Sequence, residues 1–398
     1  MATKYFVTRY FYPDESSGNS LLLSLVDKLS SNGFEDINVL TSNRISKSNT
    51  KLKKTAVKNN IKIRRLRALN PLIDKLYVRV FDYGIFLINT FFFTLFRIKK
   101  DSVMITMSDP PMLSSVLGLA CYLRGIKQIQ WLQDVYPEIT RSVGINLPLF
   151  KSLKLLRNWS MKKAIANVVI SNEMKKHFIS EGINEEKITV IPNWTDEEEI
   201  YPIDIEKNKQ YYNFASKDKF IIGYSGNFGV LHDFRILLES IKKVRSDNKI
   251  EFLFIGSGKR KIEIENFCIE NKLENIQIFP FQKREILNQT LNIPDVHVVT
   301  LLENVSPFAY PSKIYGAMAA GKPIIFIGEK NCELFNFVES NAIGFSVENH
   351  DTKKLLDIIL KLKNNDELRS EISRKTRKLF LSNYTFSISF DKWMKIVK

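Results

Sequence analysis

Short β-branched runs alternate with longer amphipathic stretches along the whole chain, and this alternation restricts the fold more than any other feature. "KYFVTRY" (4–10) is followed by "SGNSLLLSLVDKLSSNGF", in which Leu21, Leu22, Leu25 and Leu29 share one helical face and Asn32-Gly33 ends the pattern. "DINVLTS" (36–42), "IKIRRLRAL" (61–69), "DSVMITMS" (101–108), "KQIQWLQDV" (127–135), "ANVVISN" (166–172) and "KITVIPN" (187–193) read as further strands. Strand, helix, strand in this order predicts an open parallel sheet covered on both faces. The polar stretch "WTDEEEIYPIDIEKNKQYYNFASKDK" (194–219) interrupts the pattern, which then resumes with strands at 220–226, 250–258, 276–281, 296–302, 322–328 and 343–347.

A chain of 398 residues has room for two domains. The expected organisation is α/β, with two Rossmann-like doubly wound parallel-sheet domains facing a cleft. The first spans 1–195, a linker 196–219, the second 220–378. The charged stretch Lys353 to Lys378 reads as one helix. A last helix, 379–398, carries Phe386, Phe390, Trp393 and Ile396 at spacings of three to four, and is expected to pack back on the first domain.

Lys and Arg outnumber Asp and Glu by 59 to 43, so the chain must attract something acidic. No nucleic-acid motif accompanies that charge, and nucleic acid is not an expected partner. The basic-aromatic material gathers at 61–100 and reads either as a buried helix with solvated flanks or as a patch for an anionic membrane surface. Its longest apolar run, Ile85 to Phe96, falls short of the roughly 20 residues that span a bilayer. Cys121, Cys268 and Cys332 have no metal or disulfide spacing, His177, His232, His297 and His350 are scattered, and the N-terminus lacks a signal-peptide core. The expectation is a cytoplasmic protein, soluble or peripheral at the inner face of the cell membrane, with no metal and no cofactor.

In open parallel sheets ligands bind beyond the carboxyl ends of strands. "YPDESSGNS" (12–20) offers Gly18 there, either as a backbone approach to an anion or as an ordinary turn. "GYSGNFG" (223–229) places Gly226 and Asn227 where backbone amides can curl around phosphate oxygens. "FIGSGKRK" (254–261), with Gly256, Ser257 and Gly258, lacks the third glycine of a dinucleotide fingerprint and reads as one wall of a nucleotide pocket, with Phe281 beyond the next strand. In "FAYPSKIYGAMAAGKP" (308–323), Pro311 and Ser312 suit a helix start with Ser312 as N-cap. Lys313 there is unfavourable unless an anion shares the site, and Gly316 leaves the helix thin for a ligand or for the sheet. "QWLQDVYPE" (130–138) sets Asp134 and Glu138 just past a strand, for general acid/base work, for binding sugar hydroxyls, or, in the case of Asp134, for capping a helix.

Together, "YPDESSGNS", "QDVYPE", "IPNW", "YSGNFG", "FIGSG", "YPSKIYGAMAAGKPII" and "AIGFSV" resemble glycosyltransferase family 4, the retaining GT-B enzymes, in the branch that builds bacterial surface polysaccharides such as the fucosamine and colanic-acid type transferases. The resemblance covers nearly the whole chain. It implies a metal-independent transferase moving a sugar from a nucleotide diphosphate sugar, UDP favoured, to a glycan or polyprenyl diphosphate-linked acceptor in O-antigen, capsule or exopolysaccharide synthesis. The second domain would bind the donor, with Lys313 on its diphosphate and Gly18 facing it from the first domain. Two positions depart from the family pattern: Phe308 and Gly316 replace its paired glutamates, and Asn227 stands where a cation is usual. Outside the transferases, a nucleotide-sugar 2-epimerase or a non-catalytic sugar-nucleotide-binding partner of an assembly complex would also need a diphosphate pocket.

Overall fold

A computed structural model describes residues 2–14, 17–46, 48, 50–69, 76–208, 210–216 and 218–398. It divides into two compact units, Met1–Ile191 and Pro192–Lys398. The first holds strands β1 (Lys4–Val7), β2 (Ile37–Ser42), β3 (Thr55–Lys58), β4 (Ile61–Leu66), β5 (Val103–Met107), β6 (Lys127–Leu132), β7 (Ala166–Val169) and β8 (Ile188–Val190). They form one sheet in the order β3-β4-β2-β1-β5-β6-β7-β8. All neighbours are parallel except β3 and β4.

The edge strand β3 escapes the sequence pattern because "TAVK" buries nothing fully. Its signal lies in the turn: Asn59 and Asn60 both take positive φ (48° and 64°), the backbone that a two-residue hairpin requires. In β4 the alternation buries Ile61, Ile63 and Arg65 and turns Lys62 and Arg64 to the other face.

The outer helix Leu76–Arg97 has 22 residues, and its stretch Tyr77–Arg97 is long and apolar enough to cross a membrane. This corrects the sequence expectation, which counted only 85–96. The apolar face continues N-terminally through Val80 and Phe81 because the interrupting Asp82 turns inward.

The second unit has a fully parallel six-stranded sheet in the order β11-β10-β9-β12-β13-β14. Its strands are β9 (Phe220–Asn227), β10 (Ile250–Ser257), β11 (Ile276–Phe279), β12 (Val296–Thr300), β13 (Ile324–Ile327) and β14 (Gly344–Val347). Strands such as "IIFI" are buried at every position, as expected for a sheet covered on both faces. The core joins Ile222, Tyr224 and Phe252 with Leu237, Ile325 and Leu355.

The segment read as linker is held to the helix Leu287–Asn292 by side-chain amides. Tyr201 N–H donates to Asn288 Oδ1 (3.1 Å), Ile203 N–H to Asn292 Oδ1 (2.9 Å), and Asn208 Nδ2 to the Gln289 carbonyl (2.8 Å). The expected long tail helix is two, Thr352–Lys363 and Asp366–Asn383, because the Asn365 side chain caps the second by accepting from Leu368 N–H at 2.8 Å. The last helix, Phe386–Val397, starts against residues 194–197: Phe386 N–H donates to the Thr195 carbonyl at 3.1 Å, and its ring lies 5.8 Å from that of Trp194.

Candidate functional site

Because the strands of the second sheet are parallel, their carboxyl ends share one edge. The β9–β10 register sets Gly226 opposite Gly256 and Asn227 opposite Ser257 at that edge. A Cβ on Gly256 would fall 1.9 Å from the Gly226 carbonyl oxygen, and one on Gly258 would fall 2.4 Å from that of Phe228. These two glycines let the loops after β9 and β10 lie against each other. Gly226, at φ +133°, makes room for a side chain instead: its Cβ would sit 3.3 Å from Lys313 Cε.

Lys313 begins the helix Lys313–Ala319. Its ammonium donates a short hydrogen bond to the Tyr224 hydroxyl and lies 3.8 Å above the Tyr224 ring centroid. It is also 3.4 Å from His232 Nε2. His232 Nδ1 is 2.6 Å from the Thr300 carbonyl, which only accepts, so Nδ1 carries the proton and Nε2 presents a lone pair. Burial, and then the neighbouring Lys313 charge, lower the His232 pKa to about 3, so the ring is neutral. Burial likewise holds Lys313 well below the ordinary lysine range. Among the described residues no carboxylate bonds to it. An anion placed against it would favour its protonated, charged form.

The neighbouring predictions fare unevenly. Ser312 is not a side-chain cap: its backbone is already helical (φ −64°, ψ −17°), so the hydroxyl cannot fold back onto the first turn. Gly316 does not face open space, since a Cβ there would meet Leu291 Cδ1 at 3.3 Å, and the alanines beside it are buried. The bareness of this helix therefore serves its packing. Pro311 is buried at the helix start, and Phe281, 53% exposed, stands beyond β11 at the same edge of the sheet. Sequence reasoning missed Tyr224 as a site residue, although it lies inside the "GYSG" run. It also missed Arg260, whose charge contributes to lowering the His232 pKa.

In the first unit, Gly18 lies in the first turn of helix Ser17–Ser31, after β1. Asp134 follows β6. Burial and the Asp109 charge raise its pKa to about 7. It does not cap the next helix, Glu138–Ser142, whose N-cap is Pro137.

Glu138 sits in a different environment. Arg157 grips it with two bonds of 2.7 and 3.0 Å, Lys154 Nζ is 3.8 Å away and His177 Nε2 3.5 Å. Burial pushes its pKa up, but His177 and Arg157 outweigh this and hold it at about 2. Its oxygens are thus committed to an ion pair, which corrects its expected place in acid/base chemistry beside Asp134. Glu138, His177 and Glu181 also bring ligand atoms within 4.8 Å of one another, the spacing of a metal site. Lys154 Nζ, 2.7 Å from Glu181, and Arg157 already balance the carboxylates there, so these residues do not fit a metal ion.

Residues 204–379 match the family described as glycosyl transferases group 1. The probable glycosyltransferase WbjE of Pseudomonas aeruginosa is 27% identical over 76% of this chain and 76% of its own. WcaI of Escherichia coli (strain K12), named for colanic acid biosynthesis, is 26% identical over 47% of this chain and 46% of its own. Anabaena Alr3699/HepE, solved in complex with UDP and glucose, superposes with a TM-score of 0.76 at 12% identity, covering 100% of this chain and 99% of that one. Residues 204–379 thus form a domain similar to the group 1 glycosyl transferases, in a chain with the GT-B fold.

In this structure the positions that depart from the family pattern acquire a physical setting. Gly316 fills against Leu291. Asn227, the last residue of β9, accepts through its carbonyl a 3.1 Å bond from the Tyr224 hydroxyl. The cation supplied near this strand end is Lys313, delivered from a different element.

Proposed function

We propose that the transferase moves a sugar, with retention at the anomeric carbon, from a UDP-sugar to a lipid-linked or oligosaccharide acceptor. Its place is bacterial O-antigen, capsule or exopolysaccharide biosynthesis, as a metal-independent hexosyltransferase at the inner face of the cell membrane. The observation that carries this reading is the Lys313 ammonium, held against Tyr224 and the lone pair of a neutral His232 at the carboxyl ends of β9 and β12. A diphosphate oxygen placed there would meet a cation already packed against Tyr224 and His232. Charge developing on the departing UDP would be stabilised without a metal. UDP bound in HepE and the surface-polysaccharide names of the relatives support the same assignment.

Asp134, with a pKa near 7, is the group suited to accept the proton of the acceptor hydroxyl. Glu138 orders the segment around it by anchoring the following helix to Arg157. Gly226, Asn227, Ser257 and Gly258 would line the donor phosphates, and Phe281 the nucleoside.

The test is proton NMR of product formed from a panel of UDP- and GDP-sugars, with a polyprenyl diphosphate-linked sugar as acceptor and EDTA present. An α-linked donor should give an α-linked product, and Asp134→Asn should lower kcat by roughly 10²–10⁴. A product of inverted configuration, or turnover that requires added metal, would overturn the proposal.

A further inference from the structure

The helix Leu76–Arg97 is inside out. The positions it buries at spacings of four are Asp82, Phe86, Thr90 and Thr94, of which only Phe86 is apolar. Its exposed positions include Tyr77, Val80, Phe81, Ile88, Phe92 and Phe96, each at least half exposed. The buried polar groups are satisfied: Asp82 pairs with Arg9 and accepts from Leu69 N–H at 2.7 Å, and Thr90 Oγ1 donates to the Phe86 carbonyl at 2.5 Å. The inward face is therefore a finished contact with the sheet and not a surface awaiting a rearrangement. An apolar outer face of this size is unfavourable in water and calls for a cover.

Beside the last turns of that face lies a cavity of about 440 Å³. It is lined by Lys54, Arg64, Arg67 and Arg97 together with Phe92 and Phe96, whose rings stack parallel with centroids 6.0 Å apart. None of its lining residues is acidic, and among the described residues none of these four cations makes an ion pair. The Arg64 Nε is buried without a hydrogen-bond partner. Arg65, its neighbour in β4, is committed elsewhere, to the Lys53 and Tyr12 carbonyls at 3.1 and 2.8 Å. Four unpaired cations around a cavity, bordered by exposed aromatic rings, complement a phosphate with an acyl chain attached.

We propose that this cavity receives the phosphate headgroup of an anionic bilayer phospholipid, while Phe92, Phe96 and the outer face of the helix enter the acyl boundary. The helix lies in the plane of the interface, because its Asp82–Thr94 line is occupied by the sheet. This rests on the membrane location proposed above and adds the residues and lipid chemistry that produce it.

The test is flotation of the full chain with vesicles of phosphatidylcholine alone or mixed with phosphatidylglycerol, with UDP binding measured in parallel. Binding should require phosphatidylglycerol, weaken with salt and fall by about 30-fold in Arg64→Ala/Arg67→Ala, at roughly fivefold for each arginine near the surface. Phe92→Trp should show a blue-shifted emission on vesicles, which a purely electrostatic contact would not give. Arg65→Ala is no probe, because this guanidinium is buried and bonded to two carbonyls of the first unit.

UDP binding unchanged in the double variant would keep the donor assignment separate from this one. Equal binding to uncharged vesicles, or an unaffected double variant, would overturn the headgroup site. Displacement from vesicles by millimolar inorganic phosphate at constant ionic strength would overturn it in favour of a free-phosphate site.

Discussion

Two helices that cover parallel sheets in this molecule follow opposite rules. Arg235–Lys243 in the second unit buries Ile236, Leu237, Leu238 and Ile241 and leaves Arg235 and Lys243 exposed. Leu76–Arg97 in the first buries Asp82, Thr90 and Thr94 along with Phe86 and exposes six large apolar side chains. The first arrangement is stabilised by removing apolar area from water. The second adds the Asp82–Arg9 ion pair to the packing of Phe86, Leu87 and Phe93, and leaves its remaining apolar area for another phase. Polarity of the outward face, more than helix length, separates a helix made for water from one made for an interface.

The largest effect that could break this comparison is at Asp82. Asp82→Ala leaves the Arg9 guanidinium buried and unpaired, and should destabilise the first unit by about 3–5 kcal/mol in urea melts. The same change at Glu239, on the ordinary helix, should stay within about 0.5 kcal/mol. Similar losses at both sites would remove the distinction.

Truncating the apolar residues should give the reverse pattern. Leu237→Ala should cost about 2–5 kcal/mol, whereas Ile88→Ala, 57% exposed, should stay within about 0.5 kcal/mol. A large loss at Ile88 would mean that its face is already covered.

A third measurement asks whether other buried charge in the first unit is also compensated. Glu138 has a folded pKa of about 2 against an ordinary 4.5, so its contribution is present in full above pH 4.5 and is lost as pH falls towards 2. The difference corresponds to about 3 kcal/mol. Glu138→Gln should flatten the acid limb of the stability curve, and an unchanged limb would contradict the pairing with Arg157.

The smallest effect concerns Lys313, the cation packed against Tyr224 and His232 in the second unit. Burial lowers its pKa, so a diphosphate placed against it would raise that pKa again, and UDP affinity should increase as pH falls through the range where Lys313 titrates. Affinity that falls as pH is lowered from the ordinary lysine range would contradict a contact with the phosphates.

Much of this architecture is written in local pattern. Buried strands such as β10 and β13 announce themselves as apolar runs, and the glycines of 223–229 and 254–261 mark where those strands end. Information that depends on distant partners is not local. Tyr224 and His232 lie 89 and 81 residues from Lys313, so nothing around "PSKIYG" reveals that its lysine is turned onto a tyrosine ring. Glu138 reads as a catalytic carboxylate until Arg157, 19 residues on, is seen to occupy both of its oxygens. The outer helix carried its composition openly, but which of its faces was buried became clear only once Asp82 was found against Arg9.

The central claim is that Lys313 holds the donor diphosphate without a metal. Titration calorimetry of UDP into the protein in EDTA, with Lys313→Met alongside, tests it most directly. One-to-one binding that weakens at least about tenfold in the variant, with the melting temperature retained, is the predicted result, corresponding to the loss of one charge-assisted contact. Equal affinity in the two proteins, or no binding of UDP to the wild type, would contradict the account.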